Sequence, residues 1–318
     1  MRRGGGTGRL SPGQGMQPMA ADRGEAIGID VGGTNLRAGR VDAAGRVSGA
    51  LQEAVQPSRA VFSARLGALV EMLDPGGCLP IGIGLPGRVD PHSHRPVSAG
   101  FLDIADLPLA ELLAGRAGRV VRLGNDAAMA LRAEMALGAA RGARHVALLT
   151  IGTGIGGAVA LGGEIVHGHA FAGQFGHITV QGSGGLHCKC GRYGCVETLS
   201  SGTALGRLMA EAGLPSSLRA AAILEAARGG DRGAADLLRR WVSPLRAAIE
   251  TLIAVLDPDL ILLGGGLGAE AAGALTHVPF GSGWFQRPVL AASLGDEAGL
   301  IGAGLAALPP AQQEALPC

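Results

Sequence analysis

The 318-residue chain has no excess of charge of either sign: 27 Lys and Arg stand against 26 Asp and Glu, a formal net charge of +1. A nucleic-acid platform or an anionic membrane surface calls for a basic patch, so neither partner is expected. No apolar run is long enough to span a bilayer. Arg2 and Arg3 lead into Gly-rich polar sequence and not into the apolar core of a signal peptide. A cytoplasmic protein is the expectation. Lysine is almost missing, with Lys189 alone, and beside so much alanine and glycine this reads as genome composition. The five cysteines are an odd number. Three of them crowd together as Cys188, Cys190 and Cys195, which suggests metal binding in a reducing compartment rather than a disulfide framework. Cys78 and Cys318 read as bystanders.

What is present is apolar: 47% of the residues are hydrophobic, enough for a sizeable core. The 56 glycines follow no collagen period and gather at a few turns. Residues 1–22 lack periodicity, and disorder is expected there. The rest divides into a smaller α/β lobe over 23–126, a larger one over 127–295 and a C-terminal helix over 296–312 that packs back on the smaller lobe. Strands are expected at 26–31, 36–41, 47–55, 81–85 and 119–123. Phe62, Leu66, Leu69 and Leu73 share one face of a helix over 61–73. The second half opens like the first: a strand over 145–151, a Gly-rich turn over 152–157 and a returning strand over 158–161. Laying Val31-Gly32-Gly33-Thr34 over Ile151-Gly152-Thr153-Gly154 reveals an internal duplication. A long helix over 234–256 carries Leu238, Val242, Leu245, Ile249, Leu252 and Leu256 on one stripe and should kink at Pro244. A strand over 260–263 follows. Two similar α/β halves imply two lobes with a cleft between them.

Three features carry chemistry. A strand–Gly turn–strand lets backbone N–H groups approach an anion. Asp30 and Thr34 flank the first such turn and Thr153 sits in the second; each alone could be an ordinary hairpin, whereas two could grip one nucleotide from both sides. Asn125-Asp126 follows a buried strand at the lobe boundary, where a carboxylate could act as a general base, or cap the next helix, or both. His177 with Cys188, Cys190 and Cys195 offers three thiolates and an imidazole, the donors of a closed tetrahedral zinc site. His92, His94, His167 and His169 sit in loops that need nothing beyond solvated histidines.

Together these motifs resemble the ROK family of sugar kinases and sugar-responsive repressors, in the actin/Hsp70/hexokinase superfamily, over roughly residues 25–305. Asp30-Val-Gly-Gly-Thr34-Asn35 is similar to the first phosphate loop, Gly84-Leu-Pro86-Gly87 to the interlobe loop and Asn125-Asp126 to the sugar-binding and catalytic pair. Gly152-Thr-Gly154-Ile-Gly156-Gly157 resembles the second phosphate loop, Gly264-Gly265-Gly266 the adenosine-side loop, and Gly173-Gln174-Phe-Gly176-His177 the Glu-x-Gly-His motif. Cys188-x-Cys190-Gly-x-x-Gly194-Cys195-x-Glu197 resembles the zinc motif and its trailing glutamate.

The resemblance implies an α/β, two-lobed actin-like ATPase (ribonuclease H-like) fold and an ATP-dependent kinase of a glucose-type hexose or N-acetylhexosamine. Asp126 would take the sugar hydroxyl proton, and Asp30 would hold the hydration shell of Mg²⁺. Gly87, Asn125, Gln174, His177 and Glu197 would join Asp126 around the sugar. Gly32, Gly33, Thr34, Asn35, Thr153, Gly154, Gly264, Gly265 and Gly266 would join Asp30 around the nucleotide. A structural zinc ion would sit on His177 and the three cysteines, and a homodimer is compatible. Three departures stand out: Gln174 replaces a glutamate, Gly100-Phe-Leu-Asp-Ile104 lacks the Asn and Trp of many relatives, and the stretch from Gly266 to Leu294 is short. The alternatives are a sugar-binding transcription regulator or a catalytically dead sensor. With 29 residues before Asp30, a helix-turn-helix domain is not expected.

Overall fold

A computed structural model describes residues 24–115, 119–182 and 184–309. Residues 1–22, positions 310–312 of the expected C-terminal helix and Cys318 lie outside the described residues. The first half runs β1 (Glu25–Val31), β2 (Asn35–Asp42), β3 (Val47–Ala54), α1 (Arg59–Leu73), β4 (Ile81–Leu85), a hairpin of β5 (Arg88–Val89) and β6 (Pro96–Ser98), α2 (Leu109–Ala114), β7 (Val121–Asn125) and α3 (Asp126–Leu137). The second half runs β8 (Val146–Ile151), β9 (Ile155–Leu161), β10 (Glu164–Ile165), α4 (Glu197–Ser200), α5 (Gly202–Glu211), α6 (Ala220–Arg228), α7 (Arg232–Leu256), β11 (Leu260–Gly264), α8 (Gly268–Ala274), β12 (Val289–Ala291) and α9 (Ala298–Ala307).

Each half builds a five-stranded sheet, in the orders β3-β2-β1-β4-β7 and β10-β9-β8-β11-β12. The duplication read from the sequence is visible in the pairing. β1 runs antiparallel to β2 and parallel to β4, as β8 runs antiparallel to β9 and parallel to β11. The interior strands β4 and β8 are almost wholly buried, as continuous apolar runs covered on both faces should be. This is the two-lobed actin-like ATPase fold.

Phe62, Leu66, Leu69 and Leu73 do share the buried face of α1. The stripe of α7 is buried from Leu238 to Leu252, against β8 and β11 of the second core. The helix runs without a break through Pro244, so the ring costs one N–H bond but does not end it. The turn expected over 152–157 is shorter than its glycines suggest: Ile151 already pairs with Ile155, and Gly156 and Gly157 lie within β9. A side chain at Gly157 would run into Phe175 and the Leu148 carbonyl, so glycine here serves close approach within the strand rather than a turn.

Two helices join the lobes. Ala127, Ala128 and Leu131 of α3 face the second sheet through Leu148, Ala158 and Leu262. Ala133 of the same helix faces α9 through Leu300 and Ile301. The contact is backbone to backbone: a Cβ at Gly302 would strike the Met129 carbonyl, and one at Gly82 of β4 the Ala303 carbonyl. Among the described residues, no helix is long and apolar enough to cross a membrane.

Candidate active site

β7 delivers Asn125 and α3 begins with Asp126, so both sit where the two lobes meet. Asn125 is the helix cap: its Oδ1 accepts from the Ala128 N–H at 3.2 Å. Its Nδ2 donates to the Gly87 carbonyl at 2.8 Å and to Asp126 Oδ1 at 2.9 Å. The Ala127 N–H donates to the same Oδ1 at 2.8 Å. Asn125 thus takes the Ala128 N–H and Asp126 Oδ1 the Ala127 N–H, which leaves Asp126 Oδ2 outside the capping bonds. Gly87 holds φ +89°, and a side chain there would strike the Ser98 carbonyl, so this turn admits only glycine.

Burial, and then the charge of Asp30, push the Asp126 carboxyl up to about 7. Burial also lifts Asp30, to about 6, with Asp296 adding to the rise and Arg37 opposing it. Arg37 faces Asp30 across the β1–β2 ladder and reaches Asp296 Oδ2 at 3.0 Å. Asp30, Arg37, Asp126, Gly264, Gly265 and Asp296 line one cavity. Two half-buried carboxylates and an arginine beside glycine backbone suit a cation-bound polyphosphate.

Gly87, Asn125 and Gln174 line a second cavity. His94 and His167 line it too, although their loops gave no reason to expect it. No local spacing could have shown this, because one histidine comes from the β5–β6 loop and the other from the loop after β10, in opposite lobes. His94 is half-buried, whereas His167, like His92 and His169, is exposed.

Glu197 is placed differently from Asn125 and Gln174. Its Oε2 accepts from the Ile155 N–H at 2.9 Å, and Lys189 Nζ lies 3.3 Å from Oε1. With Thr153 and Gly154 it lines a third cavity. A Cβ at Gly154 would come within 2.5 Å of Glu197 Oε2, so the second Gly loop and this carboxylate fit each other. In the first loop the Gly32 N–H bonds the Asn35 carbonyl at 2.9 Å, while Gly33 and Thr34 are exposed, as is Gly266.

The ligand atoms of His177, Cys188, Cys190 and Cys195 all lie within 4.8 Å of one another. Cys188 Sγ is 3.5 Å from His177 Nδ1, and Cys190 Sγ is 3.6 Å from Cys195 Sγ. These separations match the edges of a tetrahedron with metal–S bonds of ~2.3 Å and metal–N bonds of ~2.0 Å. They are far too long for a disulfide of ~2.05 Å. Burial drives the Cys195 thiol up to about 12, whereas the Arg192 backbone N–H draws Cys190 down to about 7. Holding all three thiols ionised calls for a cation among them, so the donor set fits a divalent metal.

The chain matches the ROK family over residues 26–309. It belongs to that family. A glucokinase of Thermotoga maritima is 32% identical to it, over 87% of this chain and 95% of the relative. An N-acetylgalactosamine kinase of Shewanella sp. is 32% identical, over 79% and 84% respectively. The crystal structure of a ROK family glucokinase from Streptomyces griseus, in complex with glucose and AMPPNP, superposes with a TM-score of 0.73 at 32% identity, covering 89% of this chain and 99% of that one.

Proposed function

We propose that this ROK protein phosphorylates a hexose or hexose derivative from ATP, with Asp126 as general base. The observation that carries the reading is a carboxyl where the lobes meet, poised near 7 by burial and by a second acid, which lines the glycine-walled cavity and is bonded to Asn125 of the neighbouring one. A base is most effective when its pKa lies near the operating pH. Asn125 holds Asp126 by its Oδ1 and ties it to the interlobe turn, so the sugar hydroxyl meets a fixed oxygen. Gly264 and Gly265 present backbone to the nucleotide, and Asp30 is the group to hold hydrated Mg²⁺. Bound there, Mg²⁺ supplies charge neutralisation on the transferring phosphate.

Zinc on His177, Cys188, Cys190 and Cys195 fits the tetrahedral spacing, and it would fix the loop that carries Glu197. His177 turns Nδ1 toward the thiols, which leaves Nε2 for a sugar hydroxyl. A cytoplasmic site of action suits an enzyme that draws on ATP and keeps thiols reduced.

A coupled ADP-release assay over a panel of hexoses and N-acetylhexosamines tests the proposal. Sugar-dependent ADP release is expected with at least one of them. Sugar binding without turnover would instead favour a sensor.

A further inference from the structure

We propose that His94 and His167 are specificity-determining residues of the sugar cavity and together read an acylamino group on the hexose. The inference rests on the kinase reading above and narrows its substrate class. Each lobe contributes one histidine, so the pair sits across the cleft from itself, in one cavity with Asn125 and Gln174.

The Nδ1 atom of His94 is buried and finds no partner in the protein. Such an atom is costly unless something satisfies it, and the residue that carries it lines the cavity. His94 also holds φ 50°, a left-handed conformation uncommon outside glycine. Its own N–H is tied to the Asp90 carbonyl at 3.0 Å, and the Asp90 carboxylate accepts from the His92 and Ser93 N–H groups at 2.8 and 3.0 Å. Ala170, on the opposite side of the same cavity, holds φ 64°. Strained backbone on both faces of one cavity is what a site fixed for a ligand retains.

His167 stands at the mouth of the cavity. Burial lowers its pKa, and Arg132 and His94 lower it further. At neutral pH it is therefore an uncharged ring with one N–H donor and one acceptor nitrogen. Gln174 adds an amide with both functions. No Asp, Glu, Lys or Arg is among the described residues lining the cavity, so a charged substituent would go unpaired. The remaining wall includes Ala128, Ala158 and Ala172, small apolar side chains that suit a methyl group. An acylamino group matches all of this: a carbonyl for the donors, an N–H for an acceptor and a short apolar tail. A lone hydroxyl meets only part of it.

The test compares kcat/KM for N-acetylglucosamine, N-acetylmannosamine and glucose in wild type, His94→Ala, His167→Ala and His94→Gln. Wild type should prefer at least one N-acetylhexosamine. The ratio of that sugar to glucose should fall about tenfold or more in each alanine variant, because the acylamino group then loses one of its hydrogen-bond partners. His94→Gln, which keeps a donor, should recover part of the ratio and serves if His94→Ala does not fold. A preference of wild type for glucose, or a ratio unchanged in the variants, overturns the assignment and leaves the kinase reading intact. Absence of turnover with every sugar overturns the kinase reading instead. Equilibrium dialysis of N-acetylglucosamine then decides the cavity: binding lost in both alanine variants upholds the assignment, and no binding to wild type ends it.

Discussion

The negative charge of Asp30 adds to burial in keeping the proton on Asp126 up to about pH 7. With Asp126 proposed as the base, kcat should fall on the acid side of about pH 7 with the slope of one proton. Asp30→Asn removes the like charge and should move that limb to lower pH in whatever activity remains. A limb that stays in place in the variant would mean that Asp30 does not act on Asp126.

Asp126→Asn should lower kcat about 10²–10⁴-fold with little change in sugar affinity, because the amide keeps size and hydrogen bonding but cannot take a proton. The same change should stabilise the metal-free protein. A carboxyl whose folded pKa is raised favours folding fully below its unfolded pKa near 3.8, and loses that advantage as pH rises through about 7. The variant's Tm should therefore exceed that of wild type at pH 8, with the gap closing toward pH 5. Scanning calorimetry at the two pH values measures this. Near-wild-type turnover would reduce Asp126 to a positioning residue.

One zinc per chain is expected in protein purified without added metal, read by elemental analysis. The Cys188→Ser/Cys190→Ser double variant should lose it, and both that variant and chelated wild type should melt at lower temperature. Zinc retained by the double variant would refute the ligand set.

Gln174→Glu should raise kcat/KM for glucose relative to N-acetylglucosamine. A carboxylate offers only acceptors to sugar hydroxyls, whereas the amide it replaces also donates. Identical sugar rankings in the two proteins would move specificity away from position 174.

The sequence carried the fold wherever packing follows a local period. The buried faces of α1 and α7, and the paired hairpins of the duplication, stand where their apolar spacing put them. The cluster of His177, Cys188, Cys190 and Cys195 was legible for a related reason: three of its four donors fall within eight residues, so chain connectivity alone brings them close. Glu197 was harder. Its position in the motif says nothing of the Ile155 N–H and Lys189 that hold it. His94 and His167 were illegible, since only closure of one lobe on the other brings residues 94 and 167 to one cavity. Glycine misled in β9, where it answers to the approach of Phe175 and not to a turn.

Helix α9 has a consequence for biosynthesis. It lies between residues 298 and 307, yet Leu300, Ile301 and Leu305 close a core with Ala26 and Val41 from the first two strands. The opening strands therefore emerge from the ribosome without this cover and keep an apolar face bare until α9 has been made. At translation rates of about 5–20 residues per second, that interval is tens of seconds. The second lobe, whose core draws on a continuous stretch of chain, can form within it. The first sheet thus waits for its cover across the synthesis of the second.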